Sequence, residues 1–420
     1  MKKGFTYSTK KQLNLLQETI EYCTNHSPYY KKVLKTKEYS EEFSLVDYRN
    51  IPFTTKEDLA NDHKSFCCVE RKEIAEYVTT SGTTGDPISL FLTQNDLKRL
   101  AKNEKDSFKL MGFSDEDVFQ LLTTIDKQFM AGLAYSLGVQ ELGGGMIRIG
   151  PGVPKLQWES IFTYEPTVLI AVPSFIVTLI EFAKENNIDF HSTSVKSIVC
   201  IGEPLRNNDL SLNTLGDRIT SNWDVKLFST YASTEMGAAF SECTEHKGCH
   251  LNDDLLFLEV LDEDGNSVED GTAGEIVVTT LQTEGTPLIR YKTGDIATVY
   301  YDQCGCGSKT PRLGPIIGRK NQMIKFKGTT LYPKAIYDTL DEFEQISCYK
   351  IIIDKNDLGN DDLIILLEDK LIDLPILHQI KERCKEKLRV LPTFHFVETN
   401  KLRGMVYKKH MRKPEKIIFK

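Results

Sequence analysis

The sequence predicts an α/β protein in which a large N-terminal α/β domain with several sheets is followed by a small C-terminal α+β domain. Three observations predict this fold class. Short β-rich runs alternate with helical patterns between about residues 75 and 315, and such alternation favours an α/β architecture. Apolar runs such as 168–172 are typical of buried strands, whereas 255–261 and 275–281 flank a turn-like acidic stretch and predict antiparallel strands. The last hundred residues change to the order helix, strand, strand, helix, strand.

The N-terminal and central elements follow from periodicity and from helix breakers. Apolar residues recur at three- and four-residue spacing on one helix face, at Leu13, Leu16, Ile20 and Cys23, until the Ser-Pro-Tyr-Tyr run at 27–30. The strand at 168–172 ends at a proline and is followed by a helix, and the strand at 197–201 ends in Gly-Glu-Pro. In α/β sheets ligands bind beyond the carboxyl ends of strands, so these ends are candidate binding regions.

The C-terminal elements form a compact unit of their own. The pattern predicts a helix from Pro333 to about Phe343, strands at 350–353 and 363–367, a helix at about 374–388 and a strand at 393–397. Gly318-Arg319 is the natural boundary before this unit. We therefore predict two domains, residues 1–318 and residues 319–420.

Length and composition exclude several classes of protein. The chain has 420 residues, enough for two or three domains of about 150 residues, and its 40% hydrophobic content excludes intrinsic disorder. A net charge of −8 argues against a large basic surface for nucleic acid. Apolar runs fall short of the roughly 18 residues of a membrane span, and no signal-peptide core follows Met1. We expect a cytoplasmic protein that binds neither nucleic acid nor membranes and keeps its ten cysteines reduced.

The most informative local signal is the run Thr79–Pro87. Two glycines and five hydroxyl side chains occupy residues 79–85, and such a loop can surround polyphosphate oxygens with N–H and O–H donors. It is not a Walker loop, because Gly-Lys-Ser/Thr does not follow at the required spacing. Taken alone, the run is equally compatible with a surface turn. The candidate phosphate-binding residues are Ser81, Gly82, Thr83, Thr84 and Gly85.

Four motifs in order resemble those of the adenylate-forming enzymes, which activate carboxylic acids with ATP. The run 79–87 resembles the phosphate loop of that superfamily, and Tyr-Ala-Ser-Thr-Glu at 231–235 resembles its aromatic-x-x-Thr-Glu motif. Tyr-Lys-Thr-Gly-Asp at 291–295 resembles Tyr-x-Thr-Gly-Asp, and the stretch 318–325 resembles the Gly-Arg hinge. The resemblance is closest to phenylacetate–coenzyme A ligases and extends to the N-terminal runs 27–30 and 51–59.

The resemblance implies a nucleotide site with named roles. Glu235 would bind the Mg²⁺ ion that bridges phosphate oxygens, and Thr234 would donate its hydroxyl to the α-phosphate. Tyr231 would lie against the adenine ring, Asp295 would accept hydrogen bonds from the ribose hydroxyls, and Arg319 would support the ribose and phosphate. The other wall of the adenine slot would consist of Gly202, Glu203 and Pro204. The alternative for the two carboxylates is an ordinary solvated surface position.

Near the C-terminus, adenylate-forming enzymes carry a lysine within Pro-Lys/Arg-Thr-x-Ser-Gly-Lys. Here Leu-Arg-Gly-Met-Val-Tyr-Lys occupies 402–408, which keeps only the basic second position and the final lysine. By resemblance, Lys408 would stabilise charge between the carboxylate and the α-phosphate, with Lys409 as an alternative. It could equally be one cation among many, because residues 401–420 hold eight Lys/Arg and one acid. The degenerate motif leaves weak adenylation or a changed acyl acceptor open.

Two clusters of thiols and imidazoles form a second constellation. Residues 242–250 and 304–307 carry them at short spacing, which suits tetrahedral Zn²⁺. Some phenylacetate ligases carry a structural zinc in this region, and the Cys-Gly-Cys-Gly run matches theirs. The predicted ligands are Cys243, His250, Cys304 and Cys306, with His246 or Cys249 as possible substitutes. Free buried thiols packing as small apolar groups are the alternative.

The acyl pocket and the hinge are assigned by position in the resemblance. Phe129, Met130 and Tyr135 would border the pocket and Ala232 would form its floor, which would favour a flat apolar acid. Aromatic and methionine side chains at such positions are also common in an ordinary core. Asn321 occupies the hinge position, where relatives commonly carry a charged residue, and the C-terminal domain would rotate there between the two half-reactions.

The leading functional hypothesis is an ATP-dependent ligase for an aromatic or arylacetate-type acid. It would form acyl-AMP and pyrophosphate, after which coenzyme A would displace AMP to give a thioester. One alternative acceptor is the phosphopantetheine of an acyl carrier protein, and another is an amine. The second class of function is a nucleotide-binding protein with eroded catalysis. Zinc-dependent redox or hydrolytic chemistry is a weaker third, because the predicted ligand set leaves no open coordination position.

Overall fold

The computed structural model describes residues 9–34, 43–80, 87–326, 329–343, 345–355, 361–368, 372–407 and 415–420. Its α-helices are α1 (Lys10–His26), α2 (Pro28–Leu34), α3 (Leu45–Arg49), α4 (Lys56–Asp62), α5 (Gln94–Leu110), α6 (Met130–Leu142), α7 (Pro154–Tyr164), α8 (Pro173–Glu185), α9 (Thr214–Thr220), α10 (Pro333–Leu340), α11 (Leu374–Leu388) and α12 (Thr399–Val406).

The strands up to the metal-ligand region are β1 (Glu76–Thr79), β2 (Ser89–Leu92), β3 (Val118–Leu121), β4 (Gly145–Arg148), β5 (Val168–Ala171), β6 (Ser197–Cys200), β7 (Lys226–Ser233), β8 (Ala238–Glu242) and β9 (Cys249–His250). The remaining strands are β10 (Leu256–Leu261), β11 (Ala273–Thr280), β12 (Tyr291–Tyr300), β13 (Arg312–Arg319), β14 (Ile324–Phe326), β15 (Thr329–Leu331), β16 (Tyr349–Lys355), β17 (Asp361–Glu368), β18 (Thr393–Val397) and β19 (Ile417–Phe419).

Eleven strands form one large mixed sheet in the order β10-β11-β12-β13-β9-β8-β7-β6-β5-β3-β4. Its second half is parallel, from β7 through β6, β5 and β3 to β4. Strand β8 then pairs antiparallel with both β7 and β9, and β10 pairs antiparallel with β11. Every residue of β5 and β6 is buried, as expected for strands covered on both faces. The predicted α/β fold class is confirmed.

The chain divides into two compact units, Met1–Thr293 with Ala297–Ile316 and Gly294–Ile296 with Ile317–Lys420. The second unit contains a four-stranded sheet in the order β18-β17-β16-β19, in which β16 and β17 are antiparallel and both outer pairs are parallel. Its core combines apolar residues of these strands with residues of α10 and α11, such as Ile336 and Ile380. The second unit also contains helix α12 and strand β19, which the sequence patterns did not predict.

Helix α5 brings polar side chains into the core of the first unit. It begins at a capping box, because Thr93 Oγ1 accepts the N–H of Asp96 while the Asp96 carboxylate accepts the N–H of Thr93. The helix packs against α6 and β8. At Gly138 of α6, a Cβ would lie 2.2 Å from Cβ of Glu104, so this close helix contact requires glycine. Glu104 is buried at this contact, and Arg99 is buried five residues earlier on the same helix.

Residues of the N-terminal segment bond to the stretch of chain that leads into β12. The Tyr30 hydroxyl lies 2.9 Å from Thr54 Oγ1 and accepts the N–H of Ile289, while Thr54 Oγ1 donates to the Ile289 carbonyl. Thr54 also forms a parallel bridge with Tyr291. The two N-terminal runs singled out in the sequence thus fix the strand that starts at Tyr291.

Candidate active site and metal cluster

The candidate phosphate loop connects the two strands of an antiparallel hairpin. Strands β1 and β2 pair with Thr79 opposite Ser89, and Thr80 closes the hairpin because its N–H donates to the Ile88 carbonyl and its Oγ1 accepts the Ile88 N–H. The five predicted phosphate ligands, Ser81, Gly82, Thr83, Thr84 and Gly85, lie outside the described residues. The described hairpin fixes where the loop starts and ends.

The predicted adenine wall lies beyond the carboxyl end of β6. Gly202 adopts a left-handed backbone with φ of +74°, which glycine accepts without strain. The next carboxylate, Glu203, accepts the backbone N–H of Ser174 at 3.0 Å and its hydroxyl at 2.9 Å. Since Ser174 belongs to the first turn of α8, Glu203 ties this wall, which continues into Pro204, to a helix N-terminus.

The Thr-Glu pair lies in the turn between β7 and β8. Strand β7 carries the half-buried Tyr231 opposite Phe240 and the exposed Ala232 opposite Ala239. Thr234 and Glu235 follow directly and are both half-buried. The motif thus extends from a strand in the middle of the large sheet into a tight turn, which presents the carboxylate beyond the end of that strand.

The hydroxyl of Tyr291 donates to Oε1 of Glu235 at 3.3 Å. Tyr291 is only 2% exposed, so its ring is fixed in the core while the hydroxyl reaches the carboxylate. This contact brings together two motifs that are 56 residues apart in the sequence. Sequence reasoning assigned no role to Tyr291, although its place at the head of Tyr-Lys-Thr-Gly-Asp was a signal that could have drawn attention to it.

Within the second unit, Asp295 and Arg319 form an ion pair. Nε of Arg319 donates to Oδ1 of Asp295 at 3.1 Å, and Asp295 is 8% exposed. The exposed Asn321 follows in a single 3₁₀ turn, Lys320–Gln322. The structure therefore joins the two residues predicted for the ribose.

The predicted acyl segment begins in an unusual backbone conformation. Lys127 and Gln128 both have positive φ, 59° and 57°, which is uncommon for side chains of this size. The Gln128 carbonyl accepts the N–H of Thr79, so the segment is bonded to the strand that enters the phosphate loop. Phe129 is half-buried and caps α6.

The first turns of α6 are buried in hydrophobic clusters. Met130 and Tyr135 are 6% and 3% exposed, and the Tyr135 hydroxyl lies 3.3 Å from Oγ1 of Thr230 on β7. Tyr135 thus contacts the residue directly before Tyr231. The assignment of these side chains to an acyl pocket stays a prediction.

The predicted adenylation lysine, Lys408, and its alternative, Lys409, lie outside the described residues. The described segment before them ends at Tyr407, directly after α12.

The four predicted metal ligands converge in the first unit. The ligand atoms of Cys243, His250, Cys304 and Cys306 all lie within 4.8 Å of one another. Sγ of Cys243 is 3.7 Å from Sγ of Cys304, and Sγ of Cys306 is 3.6 Å from Nε2 of His250. Three of the side chains are buried and Cys306 is exposed.

Strand pairing explains this convergence. Cys243 directly follows β8, His250 ends β9, and β9 is inserted between β8 and β13. Cys304 and Cys306 lie between β12 and β13, in a turn where a Cβ on Gly305 would be 2.8 Å from Oε2 of Glu245. A larger residue between the two thiols would therefore displace the exposed Glu245 side chain.

The two possible substitute ligands point elsewhere. Sγ of Cys249 donates to the Ser229 carbonyl at 3.5 Å, and Nδ1 of His246 lies 3.3 Å from Oε2 of Glu242. Neighbouring residues in a strand face opposite sides of the sheet, which separates Cys249 from His250. The geometry favours the original set of four.

The environment shifts the pKa values of the cluster side chains in different directions. Burial, followed by the nearby Arg312 guanidinium, lowers the pKa of His250 to about 4, so the imidazole is neutral near neutral pH and keeps a lone pair for a metal. Burial raises the pKa of Cys243 to about 12. At Cys304 burial acts in the same direction, but the Cys306 N–H and the neighbouring thiols outweigh it and hold the pKa below its ordinary value. Of these two thiols, Cys304 ionises first.

Comparison with known proteins decides the family. Residues 15–284, well over half of the chain, match the family of AMP-binding enzymes. The chain belongs to this family. This AMP-binding enzyme is similar to the phenylacetate–coenzyme A ligase of Thermus thermophilus, with 30% identity over 347 residues that cover 80% of this chain and 76% of that protein. It is also similar to the phenylacetate–coenzyme A ligase of Escherichia coli, with 26% identity over 383 residues, 89% of this chain and 85% of that protein.

Solved structures give the same fold for this AMP-binding enzyme. A crystal structure of 2-hydroxyisobutyryl-CoA ligase in the postadenylation state, in complex with 2-HIB-AMP, has a TM-score of 0.84. The match covers 97% of this chain and 89% of that chain at 22% identity, which shows the fold alone. The predicted membership of the adenylate-forming enzymes, related to phenylacetate–coenzyme A ligases, is confirmed by the sequence matches. Within the described residues, none of the helices combines the length and the apolar character needed to cross a membrane.

Proposed function

We propose that this chain is an ATP-dependent ligase that activates an aromatic or arylacetate-type carboxylic acid as acyl-AMP and transfers the acyl group to coenzyme A. The hydrogen bond between Tyr291 and Glu235 carries the proposal, because it unites two of the four adenylation motifs around one carboxylate. The names of the sequence relatives, which are phenylacetate–coenzyme A ligases, support the class of acid and the acceptor.

In the first half-reaction, an oxygen of the acid carboxylate attacks the α-phosphorus of ATP. The new C–O–P bond forms as the bond to pyrophosphate breaks, so two anions must be aligned and their charge neutralised. We assign this alignment to Thr234, whose hydroxyl would donate to the α-phosphate, and to Glu235, which would hold Mg²⁺. When bound, Mg²⁺ neutralises phosphate oxygens and draws negative charge toward pyrophosphate.

The nucleotide base and ribose would be held by separate groups. Tyr231 on β7 is suited to an adenine face, and Gly202 permits close approach of the opposite wall, which Glu203 anchors to α8. Asp295 would accept ribose hydroxyls, with Arg319 beside it. The phosphate loop at 81–85 and Lys408 keep the roles predicted from the sequence.

The second half-reaction is a displacement at the acyl carbon. The thiolate of coenzyme A forms a C–S bond while the bond to AMP breaks, and AMP leaves with the electron pair. Because acyl-AMP is a mixed anhydride, this transfer is downhill once water is excluded. A hinge at Asn321 between residues 1–318 and 319–420 would separate the two half-reactions. Transfer to a carrier-protein phosphopantetheine or to an amine remains an alternative within the same chemistry.

For the Cys/His cluster we propose a structural Zn²⁺. The residues that would hold it are Cys243, His250, Cys304 and Cys306, whose ligand atoms lie within 4.8 Å of one another. Three sulfurs and one imidazole are a common tetrahedral set for structural zinc. All four positions come from the protein, so the ion would cross-link β8, β9 and the turn before β13 and would take no part in the reaction.

The test is a pyrophosphate exchange assay with a panel of acids. Labelled pyrophosphate should enter ATP when phenylacetate or another aryl acid is present, and coenzyme A should then yield a thioester identified by mass spectrometry. Trapping with hydroxylamine should give the acyl hydroxamate. ATP binding without exchange, for every aryl and short acyl acid tested, would instead identify a nucleotide-binding protein. Pyrophosphate exchange without thioester formation would indicate that the acyl acceptor is a carrier protein or an amine instead of coenzyme A.

A further inference from the structure

Arg99 of α5 is a buried cation whose partners are backbone carbonyls. The side chain is 7% exposed, and its guanidinium donates from Nε to the Leu281 carbonyl at 2.8 Å, from Nη2 to the Leu255 carbonyl at 2.5 Å and from Nη1 to the Gly237 carbonyl. Burial lowers its pKa to about 10, which leaves it charged near neutral pH. Burying a charged side chain costs free energy unless its N–H groups find hydrogen-bond acceptors, and here the three backbone carbonyls are those acceptors.

The three carbonyls belong to separate parts of the first unit. Gly237 ends the turn that contains Thr234 and Glu235, whereas Leu255 precedes β10 and Leu281 follows β11. The planar guanidinium has five N–H donors in a fixed fork, so it sets the distance and angle between groups that it joins. Arg99 therefore fixes the turn relative to the adjoining ends of the β10–β11 pair.

A second side chain on the same helix completes this connection. Asp96, one turn before Arg99, is 2% exposed and accepts the N–H groups of Glu284 at 2.9 Å and Gly285 at 2.8 Å. Helix α5 thus holds the stretch 281–285 with a carboxylate and the turn at Gly237 with a guanidinium. The capping box at Thr93 keeps Asp96 in place.

Packing between α5 and the turn is incomplete. A cavity of about 20 Å³ separates α5 from the turn and is lined by both Arg99 and Glu235, together with Leu100, Met236 and Gly237. A cavity of this size admits at most about one water molecule. Oγ1 of Thr283, which also lines it, has no hydrogen-bond partner among the described residues. The buried Met236 anchors the middle of the turn, and the hydrogen bond from Arg99 holds its end at Gly237.

We propose that Arg99 is a positioning residue for adenylation: through the Gly237 carbonyl it holds Glu235 where the carboxylate can bind Mg²⁺ with ATP. This inference rests on the proposed function. Tyr291 orients the carboxylate itself, whereas Arg99 sets the backbone that carries it. A displacement of about 1 Å in a catalytic group can cost on the order of a hundredfold in rate, so a residue behind the turn can control the chemistry.

Two variants disturb the contact from opposite sides. Arg99→Lys keeps the charge but replaces the planar fork with one ammonium group, which cannot join three carbonyls in the same geometry. In Gly237→Ala the new Cβ would lie 3.2 Å from Nη1 of Arg99, so the guanidinium must move, and alanine is also strained at φ of +55°. If either variant fails to fold, the other still tests the contact.

Binding of Mn²⁺ with ATP, followed by electron paramagnetic resonance, needs no knowledge of the acid. Both variants should raise the half-saturating Mn²⁺ concentration at least about fivefold, since a displaced carboxylate is a poorer ligand. The same variants should slow pyrophosphate exchange, yet make thioester from supplied phenylacetyl-AMP and coenzyme A within about twofold of the native rate, because that step needs no metal on phosphate oxygens.

Two controls separate positioning from general damage. Lys98→Met removes the exposed neighbouring cation of α5, and Ile20→Ala creates a core cavity in α1. Neither should change the Mn²⁺ dependence. Native Mn²⁺ dependence in both Arg99→Lys and Gly237→Ala, or equal slowing of both half-reactions, would overturn the inference. A native protein that neither binds Mn²⁺ with ATP nor exchanges pyrophosphate would overturn the proposed function instead.

Discussion

Tyr291 donates its hydroxyl to the carboxylate of Glu235 at 3.3 Å, so the first residue of one motif holds the last residue of another. A carboxylate at the end of a flexible side chain must be oriented before it can bind a metal well. The buried ring of Tyr291 supplies that orientation, because its position is itself fixed by the bridge to Thr54 and by the packing of β12.

Tyr291→Phe should therefore slow adenylation by about ten- to a hundredfold, the effect expected on losing a hydrogen bond to a charged group worth roughly 1.5–3 kcal/mol. Thioester formation from supplied acyl-AMP should be unaffected. The matched control is Tyr48→Phe, which also removes a buried hydroxyl bonded to a carboxylate, at Glu259. Equal loss of exchange activity in both variants would contradict an orienting role for Tyr291.

Glu235→Ala should abolish pyrophosphate exchange and leave the thermal unfolding temperature near the native value. The side chain is half-buried in a turn and its described hydrogen bond is the one from Tyr291, so little of the core depends on it. Glu235→Gln keeps the shape and the bond but removes the charge, and should lose exchange to a similar degree. Substantial exchange in either variant at saturating Mg²⁺ would refute the assignment of Glu235.

Elemental analysis should find about one zinc ion per chain, as expected for one site with four protein ligands. A double Cys304→Ser, Cys306→Ser variant should lose the zinc and unfold at a lower temperature. Cys249→Ser is the control, because its thiol bonds to a carbonyl outside the cluster and the zinc content should stay native. A native protein that contains no metal and is unchanged by chelators would exclude a zinc site.

The buried Glu104 predicts a pH-dependent stability. Burial raises its pKa from near 4.5 to about 7, and its described hydrogen bond is the one accepted from Asn103 at 3.1 Å. The folded protein therefore binds this proton more tightly than the unfolded chain. The resulting stabilisation is complete below the unfolded pKa and is lost as the pH rises through the folded pKa, by on the order of 3 kcal/mol in total.

Glu104→Gln, which cannot ionise, should consequently gain stability relative to the native protein as the pH rises from about 5 to about 8. Thermal unfolding measured across this range would show the two melting temperatures diverging in favour of glutamine. Glu141→Gln is the control, since that glutamate is exposed and ion-paired with Lys105, and its replacement should bring no such gain. Parallel curves for Glu104→Gln and the native protein would exclude the buried titration.

The fold class and the metal ligands were predictable because their signals are local. Alternating patterns of five to fifteen residues indicate strands and helices, and the chemistry of Cys243 or His250 is evident wherever the chain places it. The sequence did not predict that the two-residue strand β9 is inserted between β8 and β13, because two residues carry no periodicity. The three-residue strand β19 was missed for the same reason, whereas the eight-residue helix α12 was missed because the stretch 402–408 was interpreted as a catalytic motif.

Arg99 was not predictable either. Its partners are backbone carbonyls 138 to 182 residues away, and a carbonyl has the same chemistry in every residue, so nothing in the amino-acid types marks the contact. An arginine on a helix is usually solvated, and only the long-range packing of α5 shows that this one is enclosed. The contact of Tyr291 with Glu235 is intermediate, because the motif was visible but its geometry was not.

Because Cys306 is exposed, the rate of zinc exchange need not follow the affinity of the cluster for zinc. Cys243, His250 and Cys304 are buried, so in the proposed zinc site these three ligands would be shielded from solvent. Cys306 alone of the four can be protonated, or be replaced on the ion by the sulfur of an external thiol, without opening the sheet. Exchange of the ion should therefore begin with the breaking of this one bond, so a protein with a very low zinc dissociation constant could still trade its metal quickly with thiol-rich surroundings.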